Sequence, residues 1–182
     1  MARTVDDFIQ RFGNNDKTMD ENEASQFIDR FADPNDSDFD TQAMASGASE
    51  YLGRLPDPDF QNAARSAYTA ASPQQQQGLV GTLMRALQNR GVNLGSVLGQ
   101  TPNDPSRVDA SQYAQMANYA RHQHPDAMRE VVQEQPWLMK AMGNPVLMGA
   151  LGMIASRMIK NRTQSRLPNQ SDSGGGLLGK IF

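Results

Sequence analysis

The stretch that most constrains this chain is residues 141–156, 16 positions without a charge, bounded by Lys140 and Arg157. Asn144-Pro145 starts a helix there, and Val146, Leu147, Met148, Leu151, Met153, Ile154, Met158 and Ile159 fall on nearly every side of it. A helix that is apolar all round must be covered, by protein or by lipid. The uncharged part is shorter than the roughly 20 residues needed to cross a bilayer. Gly149, Gly152 and Ser156 put small side chains on one ridge, which suits close packing against another helix. The expectation is therefore a central helix of a C-terminal bundle, with a partner-facing or membrane-embedded helix as the alternative.

The rest of the chain reads as all-α: bundles of short antiparallel helices with a flexible C-terminal tail. Thr4 caps a first helix with Val5, Phe8, Ile9 and Phe12 on one stripe and Gly13 at its end. The run Phe8-Ile9-Gln10-Arg11-Phe12 returns as Phe27-Ile28-Asp29-Arg30-Phe31, so two short helices are expected to form a hairpin around their Phe and Ile faces. Asp38 or Asp40 starts a third helix that Gly53 stops, and Asp57 caps a fourth with Pro58 at its first position. Ser72-Pro73-Gln74-Gln75 carries a capping box, followed by the stripe Leu79, Val80, Leu83, Met84 and Leu87 and then Gly91. Val92, Leu94, Val97 and Leu98 form a short helical turn beneath the bundle. Asp109 caps the next helix, and His124-Pro125, Gln135-Pro136 and Asn144-Pro145 each break one helix and begin another.

These signals divide the chain into an acidic N-terminal helical domain (1–99), a linker rich in Pro, Asn and Asp (100–107) and a C-terminal helical hairpin with the apolar helix (108–161). Residues 162–176, rich in Ser, Asn, Gln and Gly, have the composition of a flexible linker. The chain then turns apolar again over residues 177–182. Leu177, Leu178, Lys180, Ile181 and Phe182 form a tethered tip of the kind that docks on a partner.

The net charge of -3 conceals an asymmetry. Residues 1–60 hold 14 acidic and 5 basic side chains, and residues 61–182 hold 6 and 12, so -9 and +6 sum to -3. Such a chain could join its neighbours head to tail or present its basic end to an anionic surface. Arg157, Lys160, Arg162 and Arg166 are the candidate contacts for that surface. Without interleaved aromatics, and with a pI near 5.3, they favour anionic lipid over nucleic acid, which is not expected as a partner.

Several chemistries lose their support at this level. The absence of cysteine removes disulfides, thiolate metal sites and a cysteine nucleophile. An EF-hand loop begun at Asp36 meets Thr41 where it needs Gly and Gly47 where it needs a bidentate Glu, and frames from Asn14, Asp16 or Asp33 fail at the same positions. His122 and His124, two apart, miss the spacing of a helical zinc pair. Gly95-Ser96-Val97-Leu98-Gly99 lacks the strand that a nucleophile elbow requires. No metal ligand, cofactor or small-molecule substrate is expected.

The Gln-rich helix followed by Gly-Val-Asn-Leu-Gly-Ser-Val-Leu-Gly resembles the glycine-punctuated helical bacterial proteins of the YidB-like type. The resemblance covers only that stretch, includes no functional motif, and implies nothing about activity. The expected function is non-enzymatic: a structural or adaptor protein that attaches to a protein scaffold or shell, or self-assembles, through its C-terminal segment. A peripheral membrane protein using the same segment is the alternative, and an enzyme with an unrecognised carboxylate site comes third. The first residues lack a basic region followed by an apolar core, so the expected location is cytoplasmic, attached to an assembly or to the inner face of a membrane.

Overall fold

Several helix starts in this chain are set by side chains that accept from otherwise unpaired backbone amides. Thr4 Oγ1 accepts from the Asp7 amide at 3.2 Å, and Asp40 Oδ1 from that of Gln42 at 2.8 Å. Ser72 with Gln75, and Asp109 with Gln112, form full capping boxes. The computed structural model, which describes residues 4–13, 20–33, 35–100, 102 and 104–165, has ten α-helices and no strand among the described residues, and three of the helices start beside a proline with no side-chain cap.

In chain order the helices are α1 (Val5–Gly13), α2 (Glu21–Ala32), α3 (Thr41–Arg54), α4 (Asp57–Ala70), α5 (Pro73–Gln88), α6 (Leu94–Leu98), α7 (Ala110–Gln123), α8 (Pro125–Glu134), α9 (Trp137–Ala141) and α10 (Asn144–Ser165). A 3-10 turn, Pro105–Arg107, precedes α7. Two expected boundaries shift. Gly53 does not end α3, which runs on to Arg54. Asp57 is the first residue of α4, behind Pro56, and makes no cap hydrogen bond, because its carboxylate is engaged elsewhere. Gly91, at φ 76°, supplies the left-handed turn after α5. Its amide donates to the Gln88 carbonyl at 2.9 Å and that of Val92 to Leu87 at 3.1 Å, closing the helix end.

The repeated Phe-Ile motif meets through its rings. Phe8 stands 5.1 Å from Phe27 and 5.3 Å from Phe31, and Phe39 closes the cluster 4.8 Å from Phe31. The hairpin expected of α1 and α2 is looser than that motif implies: α1 lies along α10, and the rings bridge it to α2.

Helix α10 is the centre of one side of the bundle. It packs most extensively on α3, then on α1, with α2 and α9 completing the enclosure. Val146, Leu147, Ala150, Leu151, Ile154, Ala155 and Met158 are buried, which is how an uncharged run of this length avoids water. No described helix is long and apolar enough to cross a membrane. Helix α3 also packs on α8, α4 on α7 and α5 on α8. The 100–107 segment, expected to separate two domains, thus joins helices that share one continuous core.

Candidate functional site

Of the three small residues expected to form a ridge on α10, the fold uses one. A methyl group added at Gly149 would fall 2.1 Å from Cζ of Tyr51, whose ring on α3 lies across the glycine. Its hydroxyl donates to the Pro145 carbonyl at 3.4 Å. The reciprocal small residue lies on α3: a methyl group at Gly47 would sit 2.7 Å from Cα of Ile154 and 2.9 Å from its nitrogen. The two helices therefore cross with glycines on both sides. Gly152 faces open space, and exposed Ser156 donates to the Gly152 carbonyl at 2.9 Å.

The basic residues that continue α10 are largely engaged within the molecule. Arg157 Nη1 is 2.7 Å from Glu50 Oε2 on α3, and Arg162 Nη1 is 2.5 Å from Asp6 Oδ1 on α1. Lys140 reaches Asp29 in the same way, at 2.5 Å. The acidic front of the sequence thus meets its basic rear inside one chain. Each pair is exposed and adds at most about 1 kcal/mol of stability, but the guanidinium is no longer free for another anion. Lys160 stays exposed at the edge of a shallow depression of about 440 Å³ with Glu50, Ser156 and Arg157. Arg166 lies outside the described residues, as do Leu177, Leu178, Lys180, Ile181 and Phe182.

One charged site was missed by the sequence reading. The Arg121 side chain, from α7, is fully buried. It donates to the Leu52 carbonyl at 2.8 Å, the Leu55 carbonyl at 2.6 Å and Asn118 Oδ1 at 2.8 Å. It also pairs with Asp57, and its guanidinium carbon lies 4.4 Å from the centre of the Phe60 ring. The arginine closes the C-terminal end of α3 and fixes the turn into α4, which accounts for the missing cap at Asp57. His122 Nε2 lies 2.8 Å from the same Asp57 oxygen. That hydrogen bond, with Asn118 and the Arg121 charge, outweighs desolvation and holds the Asp57 carboxyl below the ordinary aspartate value.

A second buried polar group has no such network. Tyr113 stacks on Tyr68 with ring centres 5.5 Å apart, and its buried hydroxyl has no hydrogen-bond partner. Burial pushes the phenol well above its usual range. Replacing Tyr113 by Phe should keep the stack and remove an unpaired hydroxyl, whose burial costs about 1–3 kcal/mol. Thermal unfolding of Tyr113→Phe is expected at or above the parent midpoint, and a clear decrease would show that the hydroxyl is bonded.

The remaining candidates settle into structural roles. Arg30 is 2.7 Å from Asp36 and lies 4.5 Å from the centre of the Phe39 ring. Asp33 accepts from the Asn35 amide at 2.9 Å and Asp36 from that of Asp38 at 3.2 Å, so the acidic segment is folded into side-chain turns. His124 closes α7 against Tyr119, and Ser96 sits inside the short α6. Among the described residues no group of three or more His, Asp or Glu side chains is placed to hold a metal ion. Set against known proteins, the chain matches no protein family, no curated protein and no solved structure, and the YidB-like resemblance gains no support from those comparisons.

Proposed function

We propose that this protein acts by attachment, as an adaptor or structural component whose helical body is held to a protein scaffold or shell by the apolar segment 177–182. The observation that carries this reading is the composition of the described surface, where one large apolar side chain, Ile159 at 38 % exposure, stands exposed. A described surface with so few exposed large apolar side chains offers little of the apolar area on which stable protein association usually depends. The sequence instead concentrates Leu177, Leu178, Ile181 and Phe182 beyond a linker rich in Gly and Ser. An apolar groove on a partner is the complementary surface for such a segment, and a cytoplasmic setting belongs to this reading.

The lipid alternative relies on the same segment together with Arg157, Lys160, Arg162 and Arg166. The engagement of Arg157 with Glu50 and of Arg162 with Asp6 weighs against it, because a headgroup would have to displace both carboxylates. Fusing residues 157–182 to an unrelated carrier separates the two. Capture of a defined cellular protein by the fusion, with no sedimentation on anionic vesicles, is the expected result. Sedimentation on anionic but not neutral vesicles, weakened by salt, would replace the adaptor reading with the lipid one.

A further inference from the structure

The turn between α5 and α6 and the last two turns of α7 border an open groove of about 710 Å³, within the range of small-ligand sites. Its chemistry differs from that of the depressions beside Glu50, where Arg157 pairs with Glu50 and Arg129 with Asp126. No carboxylate lines it, although the chain has 20. Val92, Val97, Tyr119 and His124 are half-buried, and the Tyr119 and His124 rings stand 5.8 Å apart. Around them Asn93, Ser96, Gln115, Gln123 and His122 are exposed. The floor is thus apolar and aromatic. On the rim Gln115 Nε2 donates to the Val97 carbonyl at 2.7 Å, Asn93 Oδ1 accepts from the Gly95 amide at 2.9 Å and His122 Nε2 lies 2.8 Å from Asp57. The groups offered to a ligand are therefore the Asn93 amide nitrogen, the Gln115 amide oxygen, the Gln123 amide and the Ser96 hydroxyl, which together donate and accept hydrogen bonds.

The charges argue against an anionic ligand. Arg90, the arginine at the groove, already donates to the Ala86 carbonyl at 2.6 Å and lies 3.2 Å from Glu130. Helices α5 and α7 both end at the groove, and helix C-termini carry partial negative charge. An aromatic floor within a neutral hydrogen-bonding rim matches a molecule with one C–H face and an edge of hydroxyls. We propose that this groove binds a neutral saccharide, with Tyr119 under the sugar ring and the amide rim on its hydroxyls. The site goes beyond the attachment role and does not depend on residues 177–182.

The test is a titration of the full chain, labelled with nitrogen-15, with glucose, galactose, N-acetylglucosamine and their disaccharides, followed by amide shifts. At least one sugar should move the amides of residues 90–97 and 115–124, equally in low and high salt. The shifts should disappear in Tyr119→Ala. Ser96→Trp, which fills the groove from an exposed rim position, should also abolish them and decides the matter alone if Tyr119→Ala fails to fold. No response to any of these sugars, shifts confined to other parts of the bundle, or a salt-sensitive response to inorganic phosphate in their place would each overturn the proposal.

Discussion

Gly47→Ala should destabilise the protein by about 1–3 kcal/mol, although alanine is the better helix former by about 1 kcal/mol. The added methyl group would fall 2.7 Å from the Cα of Ile154, a backbone atom that moves only if α10 moves. Helix α10 is held by α1, α2 and α9 as well as α3, so that displacement would be felt across the core. At about 2–4 °C per kcal/mol for a chain of this size, the melting point should fall by roughly 2–12 °C. Gly149→Ala should cost less, because the atoms in the way belong to the half-buried Tyr51 ring, which can turn outward. Adding Tyr51→Ala to Gly149→Ala should recover part of that loss. Gly152→Ala, one turn along the same helix and facing open space, should stabilise by about 0.5–1 kcal/mol. Calorimetry on this set distinguishes a close helix crossing from a general intolerance of α10 to substitution, which would make all three alanines alike.

Arg121→Met should cost about 2–4 kcal/mol. Methionine fills much of the arginine's volume over Phe60 but leaves the Leu52 and Leu55 carbonyls without their charged donor, a loss of about 1–3 kcal/mol for each buried group. The ion pair itself adds little to this figure, since Asp57 is 55 % exposed. Arg121→Lys should recover only part of the loss, because one ammonium cannot reproduce the planar fork that serves two carbonyls, Asn118 and Asp57 together. Urea unfolding should show the order parent, Lys, Met, and equal stability of Lys and parent would assign the effect to charge alone. Asp57 adds a pH dependence of defined sign. Its folded carboxyl titrates below the ordinary 3.8, so its contribution is present above that value and is lost as the pH falls through the lowered one. Asp57→Asn should therefore flatten the acid limb of the stability curve.

The helices were legible in the sequence because capping and periodicity are local. Ser72 with Gln75, Asp109, Asp40 and the proline breaks each act within one turn of the helix they start. The burial of α10 was legible too, since an uncharged stretch too short for a bilayer leaves the core as its natural place. Which faces meet was not legible. Gly47 and Ile154 are brought together from opposite halves of the chain, and no periodicity in either helix names the other. The run Ala45-Ser46-Gly47-Ala48-Ser49 held the missed signal: a mid-helix glycine among small residues costs stability unless something lies against it. Arg121 left a trace of the same kind, continuing the stripe of Tyr113 and Ala117 at four-residue spacing, where an apolar residue is the norm. The charge asymmetry was legible as a sum but not as pairs, because Arg162 with Asp6 and Arg157 with Glu50 exist only once α10 lies between α1 and α3.

The attachment role is tested most directly by comparing the full chain with one that stops at residue 176, measuring thermal unfolding and quantitative co-purification on the same preparations. The core that holds the bundle is built from described residues between Val5 and Met158, so the unfolding midpoints should coincide while the co-purifying protein is lost from the shorter chain. Retention of that protein by the shorter chain, at an unchanged midpoint, would contradict the account and place the docking surface on the bundle itself.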